Sequence, residues 1–118
     1  MMGKFIRGFF QKDYDRFARE IGYSDWKEAE EATFAIFYFE VDGWWSATEL
    51  PDKRWAVWHD EGQPPYPFEI FSRWEEAISF LREEFDKAKS DEINWCPEGY
   101  SDGENIFEKK PDRSKKIY

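Results

Sequence analysis

The chain has 118 residues and a formal net charge of −9, and it carries 7 Trp, 6 Tyr and 12 Phe. A single cysteine, Cys96, excludes an intrachain disulfide and a multi-cysteine zinc site. No run approaches the roughly 18 apolar residues that a spanning helix needs. The length fits one domain that buries about two thirds of its unfolded surface.

The charge is unevenly placed. Residues 1–12 hold three bases and no acid (+3), residues 13–107 nine bases against 24 acids (−15), and residues 108–118 five bases against two acids (+3). A body this acidic repels phosphate backbones, so direct nucleic-acid binding is not expected. It attracts a basic protein surface, including the nucleic-acid site of another protein. The same charge also keeps an aromatic-rich domain in solution.

In chain order, Phe5, Ile6, Phe9 and Phe10 alternate with Lys4, Arg7 and Lys12 and suit a packing arm. The opening segment lacks the apolar run of about 7–15 residues of a secretory signal, so a cytoplasmic protein is expected. Asp13 to Ile21 predicts a helix: Tyr14, Phe17, Ala18 and Ile21 share a face and Gly22 supplies the stop. Asp25 and Glu28, in capping-box spacing, open a second short helix that runs to about Ala32. The turn between them resembles that of a helix-turn-helix, but Asp25 to Glu31 would present four acids in seven residues to DNA phosphates.

Thr33 to His59 predicts three strands, with eight aromatic residues among 27. Asp42-Gly43 has the composition of a two-residue hairpin turn. That turn would set Val41 opposite Trp44, Phe39 opposite Ser46 and Phe37 opposite Thr48. A second turn at Pro51-Asp52 would set Glu49 opposite Arg54, Trp45 opposite Trp58, Ala47 opposite Ala56 and Ser46 opposite Val57.

Alternation then sorts the side chains. One face would carry Ala35, Phe37, Phe39, Val41, Trp44, Ser46, Thr48, Leu50, Trp55, Val57 and His59, nearly free of charge and fit to receive a helix. The other would carry Phe34, Ile36, Tyr38, Glu40, Trp45, Ala47, Glu49, Arg54, Ala56 and Trp58, as a half-exposed face would.

Residues 60–67 read as a proline-rich loop, and Phe68 to Phe71 as a fourth strand. Ser72 and Glu75 are in capping-box spacing ahead of a helix whose stripe is Trp74, Ala77, Ile78, Leu81, Phe85 and Ala88, with Phe80 off the stripe at an edge. From Ser90 the pattern breaks, although Ile93, Trp95, Tyr100, Ile106 and Phe107 can anchor the chain. Residues 1–107 are expected to form one globular domain. Residues 108–118 read as a solvated, flexible basic tail, the sharper alternative being that it folds back on the acidic body. The fold class is therefore α+β: two short N-terminal helices, an antiparallel meander of three to four strands, one long amphipathic helix on one sheet face, and an irregular C-terminal tail.

Little in the chain points to catalysis. His59 is the only histidine and no spacing joins it to Cys96 or a serine as a triad. Ser24 and Lys27 have the Ser-x-x-Lys spacing without its companion motifs. Acidic pairs are expected by chance among 26 acids, and no phosphate loop or calcium loop is present. No cofactor and no metal site is expected.

The sequence favours a small protein-binding module, an inhibitor or adaptor engaging a basic surface, as phage-encoded inhibitors of host defence enzymes do. Its expected contact residues are Tyr38, Glu40, Trp45, Glu49, Trp58, Asp60, Glu61 and Tyr66. The partner would be a protein with a basic surface, with no direct nucleic acid and no membrane, and a homodimer is compatible. The alternative is a small-molecule-binding or catalytic domain, with Trp44, Trp55 and His59 lining a pocket between sheet and helices under the proline loop.

Overall fold

Among the described residues, two short helices, four strands and a long helix follow one another. They are α1 (Gln11–Glu20), α2 (Trp26–Glu31), β1 (Thr33–Phe39), β2 (Gly43–Glu49), β3 (Trp55–His59), β4 (Phe68–Phe71) and α3 (Trp74–Ala88), with 3-10 turns at Glu92–Asn94 and Arg113–Lys115. The computed structural model describes residues 11–39, 43–61 and 65–116. The expected packing arm, Glu40 and the middle of the proline loop lie outside them. The four strands make one antiparallel sheet in sequence order, and the architecture is the expected α+β.

Local chemistry sets the helix ends. Gly22, at φ +106°, closes α1: its N–H bonds the Arg19 carbonyl at 3.2 Å and the Tyr23 N–H bonds the Ala18 carbonyl at 2.9 Å. The Asp25 carboxylate caps α2 by accepting the Glu28 N–H at 2.9 Å, and the Glu28 carboxylate accepts the Ser24 N–H at 3.3 Å. The long helix begins one residue later than the Ser72–Glu75 spacing suggests. Arg73 is the cap residue, and its N–H is accepted by Glu76 at 3.2 Å.

The strand register differs from expectation. Gly43 is a paired strand residue opposite Phe39, which leaves three residues between them rather than a two-residue Asp42-Gly43 turn. Tyr38 therefore faces Trp44 and Phe37 faces Trp45; a bulge at Ile36 then resets the ladder to Ala35 opposite Ser46, Phe34 opposite Ala47 and Thr33 opposite Thr48.

The second loop also has three residues. The Leu50 N–H bonds the Arg54 carbonyl at 2.8 Å, the Lys53 N–H bonds the Leu50 carbonyl at 2.9 Å, and Lys53 takes the left-handed conformation at φ +76°. Trp45 consequently pairs with His59, Ser46 with Trp58, Ala47 with Val57 and Glu49 with Trp55. The Trp45–Trp58 and Glu49–Arg54 pairs expected from an even-numbered loop do not form. A shift of one residue moves a strand's side chains to opposite faces.

Both faces of the sheet are covered, which corrects the expectation of one half-exposed, charged face. On one side Phe34, Phe37, Ala47, Trp55 and Val57, with the bulged Ile36, pack on Trp74, Ala77, Ile78, Leu81 and Phe85 of α3. Ala88, the last residue of the expected stripe, is exposed. Phe80 lies against Phe71 and Trp45. On the other side Leu50, Ala56 and Trp58 meet Phe17, Ala18 and Ile21 of α1, Trp26 and Ala29 of α2, and Tyr66. Each large side chain buried this way contributes about 1.5–3 kcal/mol.

A hydrogen-bond chain crosses the second layer. The Trp58 Nε1–H reaches Thr48 Oγ1 at 3.0 Å, Thr48 and Thr33 hydroxyls are 2.7 Å apart, and Thr33 Oγ1 donates to the Ala29 carbonyl at 2.8 Å. Because each hydroxyl has one proton, Thr33 must accept from Thr48. The chain therefore runs in one direction from β3 through β2 and β1 to α2.

Beyond α3 the chain returns to the outer edge of β1. The Cys96 N–H bonds the Ile36 carbonyl at 3.0 Å, the Glu98 N–H bonds the Ala35 carbonyl at 2.9 Å, and the Glu98 carboxylate accepts the Ala35 N–H at 2.9 Å. Arg82 holds this segment by paired 2.8 Å bonds to Glu92, its guanidinium 5.0 Å from the ring centroids of both Phe85 and Trp95.

The basic segment from Glu108, expected to be solvated, is placed against the body as far as Lys116. There its cations meet carboxylates and a carbonyl, and Pro111 is buried.

The hydrogen-bond chain and the second loop can each be tested by stability. Thr48→Val leaves the Trp58 indole N–H unmatched in the interior and lowers unfolding free energy by about 1–3 kcal/mol in urea titration, whereas Thr48→Ser loses less; a valine variant as stable as the parent contradicts the chain. Lys53→Gly relieves a left-handed non-glycine residue and raises the denaturation midpoint, by about 0.5–1 kcal/mol of stability.

Candidate functional site

The observed register redistributes the eight expected contact residues. Tyr38, Trp58, Asp60 and Tyr66 gather on the α1 side of the sheet, at the end where β1 meets β2, and exposed Glu61 is next to Asp60. Trp45 lies on the α3 side, against Phe37 and Phe80. Glu49 is buried at the far end of β2, where Lys110 and Arg113 meet its carboxylate. Glu40 is outside the described residues. The eight therefore do not form one surface, but half of them do converge.

Asp60 is the centre of that convergence. One carboxylate oxygen accepts the Tyr14 hydroxyl at 2.9 Å and the other accepts the backbone N–H of Trp44 at 3.3 Å. The Tyr38 ring packs on Trp44 with centroids 5.5 Å apart. Behind them Tyr14 contacts Tyr66 at 5.5 Å and Trp26 at 5.1 Å, and Tyr66 contacts Trp58 at 6.1 Å. Trp58 and Tyr66 are only 3% and 6% exposed, so they brace the cluster from within. Tyr14, Tyr38, Trp44 and Asp60 are half-buried and form its outer layer.

The electrostatics follow from this placement. Burial pushes the Tyr14 phenol far up from its usual range, and the Asp60 carboxylate adds to the shift. Burial, then Asp60 and Asp13, raise Tyr66 in the same direction. Both phenols thus stay neutral at ordinary pH. A carboxylate has about four acceptor positions, and Asp60 uses two of them for Tyr14 and Trp44. It retains capacity to accept from an incoming ammonium, guanidinium or backbone N–H.

Burial and the Glu98 carboxylate push the Cys96 thiol up, away from a reactive thiolate. Among the described residues no group of three or more His, Cys, Asp or Glu is placed to hold a metal ion. The expected pocket lining also divides. Trp44 is on the α1 side, while Trp55 and His59 are on the α3 side, Trp55 filling its space at 4.7 Å from Trp74 and His59 lying 4.7 Å from Trp45.

Tyr14 is the member of the Asp60 cluster that the sequence does not reveal. Its helical spacing with Phe17, Ala18 and Ile21 marks it as core, and only the tertiary fold brings it to Asp60 across 46 residues. Comparison of the chain with protein-family models, curated proteins and solved structures gives no match.

The raised phenols make an alkaline prediction. A phenol whose folded pKa exceeds its unfolded value stabilises the fold fully below the unfolded value, near 10, and that stabilisation is lost as pH rises past it. Stability of the parent chain should therefore fall steeply above about pH 10. Tyr14→Phe should flatten that fall in denaturation measured between about pH 9 and 11.5, and an unchanged slope would count against the Tyr14–Asp60 pairing.

Proposed function

We propose that the chain is a small acidic protein-binding module, cytoplasmic in location, which acts as an inhibitor or adaptor by engaging a basic surface of a partner protein. A nucleic-acid-binding surface is the kind of basic surface it suits, as with a phage-encoded inhibitor that blocks a host defence enzyme. The observation that carries this reading is the separation of charge from packing. Aromatic side chains pack against both faces of the sheet, while among the described residues fourteen acids of 13–107 are exposed and Glu49 is the one buried. Along α3 alone Glu75, Glu76, Glu83 and Asp86 are exposed.

Such a surface speeds encounter with a basic partner, and half-buried aromatics beside acids give it specificity. The contact set favoured by the geometry is Tyr38, Trp44, Asp60 and Glu61, with Trp58 and Tyr66 as support. The pocket reading has less behind it, because its three lining residues lie on opposite sides of the sheet.

The test is capture of partner from native lysate by the tagged chain, compared with Glu61→Lys and Asp60→Asn. Partner recovery should fall about tenfold in Glu61→Lys and by a similar factor when salt is raised from 0.1 M to 0.5 M. Capture indifferent to both the substitutions and the salt would overturn the reading. A second copy as partner would show as concentration-dependent doubling of mass in light scattering.

A further inference from the structure

The body already holds one basic segment, its own. Lys110 Nζ is 3.1 Å and the Arg113 guanidinium 3.8 Å from the carboxylate of Glu49, a residue only 7% exposed. Pro111 is buried against Gly99 and Phe34 so closely that a Cβ on Gly99 would come within 2.7 Å of the proline and 3.0 Å of the ring. The Asp112 N–H bonds the Gly99 carbonyl at 2.9 Å. Lys116 Nζ donates to the Glu30 carbonyl at 2.6 Å, near the end of α2, and lies 5.3 Å from the Phe34 ring centroid. These three cations are spaced three residues apart, with the 3-10 turn at Arg113–Lys115 between the first and the last. Beside this strap, Lys27, Glu30, Glu31, Arg113 and Lys116 line an open cleft of about 440 Å³.

We infer that the surface beneath residues 108–116 is a binding site for a basic segment of a partner protein with cations at i, i+3 and i+6, and that the strap occupies it in cis as a displaceable internal ligand. This rests on the protein-binding reading and adds to the Asp60 surface a second site, at Glu49, with its ligand. A buried carboxylate is costly unless paired, and an apolar residue would hold a purely structural joint as well or better. Glu49 instead draws its cations from 61 and more residues away, and the side chains of Lys110 and Arg113 remain more than half exposed. Such contacts hold in the resting chain yet leave the cations open to exchange. A ligand tethered by a short linker acts at millimolar effective concentration, so it lowers the apparent affinity of any competitor by the fraction of time the site is free.

The probe is a capped synthetic peptide with the sequence of residues 108–116, titrated by NMR into the full chain and into the full-length variant Lys110→Ala/Arg113→Ala/Lys116→Ala. The weakened strap should let the peptide bind at least tenfold more tightly than to the parent. In the parent the peptide should release the Asp112 amide from protection at millimolar concentration. Glu49→Gln, and a peptide in which the residues matching Lys110, Arg113 and Lys116 are replaced by Gln, should abolish both effects. If the triple variant does not fold, Arg113→Ala alone should show the same direction.

Equal affinity for both chains, no binding to either, or binding that leaves the Asp112 amide protected would overturn the inference. Salt-dependent partner capture lost in Glu61→Lys would survive that result, so failure of this site and failure of the protein-binding reading are separable.

Discussion

A strand presents its side chains alternately to two sides, so the number of residues in each connecting loop decides which rings meet which helices. Here the first two connections of the sheet, 40–42 and 51–53, have three residues each, and a bulge at Ile36 adds one more to β1. Together these send Trp55 toward α3 and Trp58 toward α1 and α2. The directed chain from the Trp58 indole through Thr48 and Thr33 to Ala29 exists only in this register, because it requires all three side chains on one face. The α2 carbonyl that ends the chain ties that helix to the sheet's parity.

The parts of the fold legible in the sequence are those governed by neighbours in the chain. Gly22 stops α1, Asp25 caps α2, and the spacing of Trp74, Ala77, Ile78, Leu81 and Phe85 defines the buried side of α3, all from interactions within a few residues. Register was not legible for a specific reason. Asp-Gly is the commonest signature of a two-residue turn, yet here Gly43 serves as a strand residue. The left-handed position of the second loop is filled by Lys53, where glycine would have announced it. With the register went the site: Trp45 and Glu49 separate from Tyr38 and Asp60, while Tyr14 joins them from a helix that reads as core.

The C-terminal segment shows two ways of holding a basic stretch. Glu104 is half-buried and gathers Lys109 and Lys115, which, with the Ser101 N–H, hold its carboxyl down at about 2. That clamp is complete above the ordinary glutamate range and is released as pH falls toward 2. Glu49 gathers Lys110 and Arg113 at the buried end of β2. The first closes the 101–109 loop on itself and the second joins the segment to the body. Opposite net charges in the middle and end of the chain, +3 against −15, thus become a joint between them rather than a free tail beside an acidic surface.

The edges of the sheet are unlike. Along β1, residues 95–98 take up the outward backbone groups of Ala35 and Ile36, while β4, with Ile70 39% exposed, is the outer strand on the far side. Fibrils grow by adding strands to both sides of each molecule. The backbone groups of Ala35 and Ile36 are already paired within the chain and are closed to such addition. In a chain with this many aromatic residues, the return of residues 95–98 shields that stretch of β1 from strand addition as well as anchoring the C-terminal segment.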